Sequence, residues 1–327
     1  MRFNLKLFFT MLLLAALMLL ANACAQPQAV ETPTAQAKPT TLKIAVLPIL
    51  DALPMYVAQQ EGLFEKEGLQ VEFIPVASAA ERDQVFASGK ADGMINDGIS
   101  TLFYNQDQVQ IQIVRMARTA TSTTPQYQIL ASPQSGFSSV QDLKGVEIGI
   151  SQGTVIEYIT ERLLEAEGLK PEEIKTIAVP KIADRMTLLS SGELKAATLP
   201  DPLSSLAVQQ GAKLIIDDTS HPEYGYSVYS FRKSLIDANP QTVRAFLAAI
   251  EAATELLNAD SSKWANLLTE KQLVPEPLVG TYQIPPYPTA SVPSKSQWDD
   301  ALAWAKAKGL IKVDVDYEAS VNASLLP

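Results

Sequence analysis

Three short stretches place clustered polar residues directly behind apolar ones. In "DGMINDGIST" Asn96, Asp97 and Ser100 follow Met94-Ile95, in "GISQGT" Ser151, Gln152, Gly153 and Thr154 follow Ile150, and "TLPD" ends on Asp201. Hydroxyls and free backbone N–H groups at a helix start suit a carbonyl, phosphate or sulfonate oxygen, so Ser151 to Thr154 form the strongest candidate, against the plain reading of a capping turn. Carboxylates imply the opposite ligand charge. Asp97 facing Asp201 favours cationic or N–H donor groups, because an isolated carboxylate is costly to bury. Two further strand ends contribute Asp51, which can also cap the next helix, and Ser78, whose small neighbours permit close approach or simply a tight turn. Asp97 can likewise act as a cap. Lys181 is placed to pair with an anion, although most lysines are solvated. Tyr127 and Tyr226 offer aromatic faces for a flat ring, with Tyr56, Arg118, Tyr158 and Tyr224 as lesser candidates.

Other chemistry is poorly supplied. The 327 residues hold one histidine, His221 in "SHPEYG", and one cysteine, Cys24. Metal catalysis therefore lacks ligand clusters, and a serine nucleophile would need His221 as its base without a Gly-x-Ser-x-Gly elbow. No Gly-x-x-x-x-Gly-Lys-Ser/Thr loop is present to hydrolyse ATP. The reading is a binding protein, not an enzyme, with no cofactor and no metal. With 26 Lys and Arg against 36 Asp and Glu the formal charge is −10, which argues against nucleic acid and anionic lipid as partners.

The elements that position these residues come as a repeat. "EGLQVEFIPVASAAERDQVFASGKADGMIND" aligns with "EGLKPEEIKTIAVPKIADRMTLLSSGELKAATLPD", pairing Val76 with Val179, Arg82 with Arg185, Ser88-Gly89 with Ser191-Gly192, and Asp97 with Asp201. Each half reads strand, helix, strand, helix, strand, which predicts βαβ units on a parallel sheet. Two α/β lobes follow: residues 41–120 plus 230–327 in the first, and 121–229 in the second. "NPQTVRAFLAAIEAATELLNAD" and "SKSQWDDALAWAKAKGL" predict helices that return to the first lobe, so the chain crosses twice, near Ala120 to Gln126 and near Tyr226 to Phe231. Ligands of such sheets bind beyond the carboxyl ends of the strands, and two lobes on a double hinge make a clamp.

The N-terminus reads as an export signal. Arg2 and Lys6 precede an apolar run from Leu7 to Leu20, too short for a comfortable membrane span of about 20 residues, and Ala21-Asn22-Ala23 leads to Cys24. The expectation is a signal peptide over 1–23 and a disordered Ala/Pro/Gln/Thr tether over 24–40. Cys24 stands where a bacterial lipobox places its lipidated cysteine, although Ala21-Asn22-Ala23 also fits ordinary secretion. Removing Arg2 and Lys6 takes the formal charge from −10 to −12.

"LKIAVLPILDALPMYVAQQEGLFEKEGLQVEF" and "LASPQSGFSSVQDLKGVEIGISQGT" resemble the NMT1/THI5-like, SsuA-like family of ABC-importer substrate-binding proteins, over about Leu42 to Ala253. The resemblance implies a type 2 periplasmic-binding-protein fold, a monomer tethered outside the cell membrane, and delivery of ligand to a permease driven by a separate ATPase. A resemblance to the pyrimidine synthase of the same superfamily fails, because its histidines and cysteine-rich iron motif are missing. Family ligands include thiamine-precursor pyrimidines, riboflavin, nitrate, taurine and other sulfonates. The carboxylates and tyrosines favour a flat heterocycle, an aminopyrimidine or a flavin; Ser151, Thr154 and Lys181 favour a sulfonate. Anion sites recruit arginine and the strand ends offer none, which tips the reading to the heterocycle. A ligand-sensing role beside a membrane receptor shares this fold.

Overall fold

A computed structural model describes residues 39–327. The expected signal peptide, Cys24 and the tether up to residue 38 lie outside the described residues. The tether was expected to reach Thr40, which instead opens the first strand. Among the described residues no helix is long and apolar enough to cross a membrane.

Ten strands form two sheets. They are β1 (Thr40–Val46), β2 (Leu69–Pro75), β3 (Gly93–Asn96), β4 (Ile111–Thr119), β5 (Tyr127–Ala131), β6 (Glu147–Ile150), β7 (Lys175–Ala178), β8 (Ala196–Pro200), β9 (Lys213–Asp217) and β10 (Tyr226–Arg232). The first sheet runs β2-β1-β3-β10-β4 and the second β7-β6-β8-β5-β9. The repeat is therefore real at the level of topology, and it extends to matching hydrogen bonds. Val76 N donates to Val46 O (2.9 Å) as Val179 N does to Ile150 O (2.8 Å).

The all-parallel expectation needs correcting. In each sheet the fourth strand is antiparallel to both neighbours: β10 between β3 and β4, and β5 between β8 and β9. Each of these strands enters directly from the other sheet, so it arrives running the opposite way to the βαβ strands. The second crossing also moves. Tyr226 to Phe231 was expected to be a hinge and is instead the buried part of β10, so the return between sheets spans 218–225. Its aromatic and serine residues are all buried because the strand lies inside the sheet with elements over both faces.

The helices used below are α1 (Leu53–Gln60), α2 (Ala79–Ala87), α3 (Gly98–Asn105), α4 (Val155–Ala166), α5 (Ile182–Ser191), α6 (Leu203–Gln209), α7 (Pro240–Ala259) and α8 (Lys295–Ala307). As its 3.6-residue pattern predicts, α7 buries Val243, Phe246, Leu247, Ile250 and Leu257 against the first sheet, with Phe246 stacked on Phe64 at 5.4 Å. Helix α8 returns to the first lobe as predicted, packing on α3, and reaches the second lobe as well. Trp298 and Trp304 share an apolar cluster with Ile99 and Leu102 of α3 but also with Ile156 and Ile159 of α4. Trp304 Nε1 donates to Glu161 Oε2 (2.7 Å), Tyr158 Oη to Asp300 Oδ2 (2.7 Å), and Lys308 reaches Glu157 and Glu161 at 3.0 and 2.6 Å. Six residues apart, Trp298 and Trp304 point about 120° from each other around the helix, which lets α8 pack on both lobes at once.

The crossings are joined by Asp218, fully buried, whose two carboxylate oxygens accept the N–H groups of Gln126 (2.9 Å) and Tyr127 (3.1 Å). Burial pushes its carboxyl up to about 7 despite those donors. A folded pKa above the unfolded one makes stability fall as pH rises through the window between about 4 and 7. Asp218→Asn is expected to flatten that window, losing up to about 4 kcal/mol of pH dependence, when melting midpoints of the two proteins are compared from pH 4 to 8. Parallel curves for variant and parent would refute it.

Candidate functional site

The carboxyl ends of the strands from both sheets converge on one cavity of about 50 Å³. Leu47, Ile49, Asp51, Arg82, Asn96 and Asp97 line it from the first lobe; Tyr127, Ser151, Val155, Ile156, Ile182, Arg185 and Pro200 line it from the second, and Ser227 from β10. Five of the expected residues are thus brought together: Asp51, Asn96, Asp97, Tyr127 and Ser151. Burial raises the Tyr127 hydroxyl well above its ordinary pKa, with Asp51 and Asp97 adding to it, so it stays a neutral donor.

The other expected residues do not line the cavity. Ser78 and Thr154 are helix caps, accepting the N–H groups of Glu81 (3.1 Å) and Ile156 (3.2 Å), and Ser100 donates to Asp83 (3.0 Å). Gln152 and Lys181 point to solvent, and the Gly153 N–H is taken by Glu157 Oε2 at 2.7 Å. Tyr226 is buried against Gly98, where a Cβ would come within 2.5 Å of its hydroxyl. The capping turn accounts for most of "SQGT", leaving Ser151 as its one cavity residue.

The carboxylates are not free either. Arg118, 1% exposed, lies between Asp51 and Asp201, each 3.7 Å away. Asp51 does not cap a helix; it accepts from Gln126 Nε2 (3.1 Å) and the Ser227 hydroxyl. Asp201 accepts from Ser204 (3.3 Å), Ser205 (2.5 Å) and Tyr282. Burial opposes the charge of Arg118, but Asp51, Tyr282 and Asp201 outweigh it and raise its pKa. Asp97 caps α3 through Ser100 N (2.8 Å) and meets Arg82 at 3.4 Å; burial raises its pKa, with Arg82 opposing. Asp97 and Asp201 therefore each face an arginine rather than each other.

Two arginines were missed at the strand ends. Arg82 and Arg185 occupy the fourth positions of α2 and α5. Side chains on a helix lean toward its N-terminus, so a long residue one turn in reaches back to the strand that precedes it. The repeat already paired them, and that pairing was the available signal. Both fold back alike, Arg82 Nη1 onto Ile95 O (3.4 Å) and Arg185 Nε onto Thr198 O (2.8 Å) with Nη1 on Val179 O (2.8 Å). They differ in charge balance. Arg82 has Asp83 and Asp97, whose attraction outweighs burial and raises its pKa. The counterpart of Asp97 in the second half is Asp201, which is engaged with Arg118, so Arg185 has no carboxylate. It is 0% exposed, its Nη2 has no hydrogen-bond acceptor, and burial pushes its pKa down to about 10. It remains charged at neutral pH. Among the described residues no group of His, Cys, Asp and Glu is arranged to hold a metal.

The curated relative described as a putative thiamine biosynthesis protein of Haemophilus influenzae is 24% identical over 225 residues, 68% of this chain and 70% of that one. The periplasmic aliphatic sulphonate binding protein SsuA of Escherichia coli superposes with a TM-score of 0.71 at 21% identity, over 85% of this chain and 96% of that one. The desulfurization enzyme DSZB has the same fold, with a TM-score of 0.64 at 13% identity over 86% and 96%. These structures bear out the fold read from the sequence, two α/β lobes around a cleft. The model of the family described as NMT1/THI5 like matches residues 50–262, and the chain belongs to that family.

Proposed function

We propose that this protein is the extracytoplasmic binding component of an ABC importer, that it captures a small organic oxyanion of the sulfonate or carboxylate type between its lobes, and that it hands this to a permease. The observation that carries the ligand class is Arg185: a buried guanidinium at the cavity with an unoccupied donor and no carboxylate. A buried cation without a partner is unfavourable, and an incoming anion relieves that cost as it binds. Ser151 and the neutral Tyr127 hydroxyl add donors from the same lobe. This replaces the aminopyrimidine or flavin favoured by the sequence, whose two premises, free carboxylates and no arginine, both fail. Support for extracytoplasmic binding comes from SsuA, which shares the fold and is described as a periplasmic sulphonate-binding protein. His221, the one histidine of the chain, sits in the second crossing, 3.4 Å from Glu223.

The test is a melting screen of residues 39–327 with methanesulfonate, taurine, acetate, nitrate, an aminopyrimidine and riboflavin. A ligand at about 100 times its dissociation constant adds roughly 2.7 kcal/mol, a shift of several degrees. Shifts with organic anions and none with the heterocycles are expected. The reverse pattern would overturn the oxyanion reading.

A further inference from the structure

The two halves use one repeated position differently. Asp97 caps α3 through Ser100 N (2.8 Å) and pairs with Arg82 of its own lobe, whereas its counterpart Asp201 gives α6 no such cap. Asp201 is reached from across the cleft instead. The Tyr282 hydroxyl donates to its carboxylate, Arg118 approaches that carboxylate at 3.7 Å, and Arg118 Nη1 also donates to the Asp201 carbonyl oxygen at 3.4 Å. Both partners belong to the first lobe, where Asp51 and Pro125 O hold Arg118 in place.

The lobes also meet on both faces of the first sheet, and unequally. Side chains alternate along β10, so Val228 joins the apolar cluster of α3, α4 and α8, while Tyr229 and Phe231 join that of α1 and α7 on the other face. On the Val228 face the second lobe contributes Val155, Ile156, Tyr158, Ile159 and Leu163, all buried, to one continuous core. On the other face it contributes buried Leu206, with Met186 and Leu203 partly buried. Parting the lobes on the first face would expose a core; on the second it would expose little beyond Leu206 and the contacts of Asp201.

Resting on the two-lobe clamp of the proposed function, we infer that Asp201 is a closure latch: it holds the α6 side of the cleft shut through Tyr282 and Arg118, and the lobes open by pivoting on the core of α3, α4 and α8. Neither Asp201 nor Tyr282 lines the cavity beside Arg185. The latch therefore sets how long the cleft stays closed, not what enters it.

The test is the distance between paired nitroxide labels in residues 39–327, which hold both sheets with their cores and contain no cysteine. Lys66→Cys with Gln210→Cys reads the latch side, and Asp107→Cys with Glu167→Cys reads the pivot side; all four positions are exposed. Without ligand the parent is expected to give one short distance for the first pair. Tyr282→Phe keeps the ring and loses the hydroxyl, so it should add a longer distance as the closing equilibrium shifts about tenfold or more, the factor lost with a hydrogen bond to a charged group. Asp201→Asn should act in the same direction, and the second pair should stay unchanged in both variants. A first-pair distance that neither variant alters would overturn the latch, and lengthening of the second pair would overturn the pivot. Either result leaves the Arg185 reading standing, because that reading fails only when no organic anion shifts the melting midpoint.

Discussion

Arg118→Gln is expected to destabilise the protein by about 3–5 kcal/mol at neutral pH, because it strands the carboxylates of Asp51 and Asp201 in the interior. Both keep neutral donors, Ser227 and Gln126 for one and Ser204, Ser205 and Tyr282 for the other, which places the effect nearer the lower figure. Urea titration at pH 7.5 checks this, and adding Asp51→Asn and Asp201→Asn to Arg118→Gln should restore part of the loss, because no charge is then left without a partner. A deficit that the triple variant does not reduce would mean that Arg118 acts through packing and through its hydrogen bond to Pro125 O (3.1 Å), not through charge.

Arg185→Gln should instead spare the fold and abolish the ligand. An uncharged amide still reaches the carbonyl oxygens of Thr198 or Val179, and the variant no longer buries an uncompensated charge, so unfolding free energy should change by about 1 kcal/mol or less. Binding of whichever organic anion shifts the melting midpoint of the parent should weaken about 100-fold, within the 2–5 kcal/mol lost when a buried charge pair is broken at an interface. Titration calorimetry reads the affinity and urea titration the fold. An unchanged dissociation constant would show that the anion sits elsewhere, and a variant with large losses of stability would show that Arg185 chiefly ties β7 and β8 together. Because the site is buried, added salt should weaken parent binding far less than it would at a surface lysine.

How far the sequence could be read depended on the range of the interactions. Strand and helix order, the repeat and the cleft at the strand ends were legible because each rests on local periodicity: Val46, Val76, Val179 and Ile150 hold equivalent positions, and Asn239 caps α7 as expected. The fourth strand of each sheet was not. β10 carries no mark in "YSVYSF" that distinguishes a hinge from a strand threaded between two others, because that depends on sheet edges made more than 100 residues earlier. Charges failed for a related reason. Asp97 and Asp201 occupy the same place in the two halves, yet one meets Arg82 and the other meets Arg118 from a strand of the opposite lobe. Two-fold repetition predicted their positions, and pairing across lobes decided which arginine was left over.

The insertion of β10 between β3 and β4 also sets the order in which the molecule can be completed. Everything in the second sheet lies between Tyr127 and Asp217, so that half can close on itself as soon as those residues are available. The first sheet cannot. Until Tyr226–Arg232 arrive, β3 and β4 face an empty slot with unpaired backbone edges, and a polypeptide interrupted before that point would present them to other chains. Biogenesis is therefore asymmetric in a protein whose halves share one topology: the half that begins the chain is the half that finishes last.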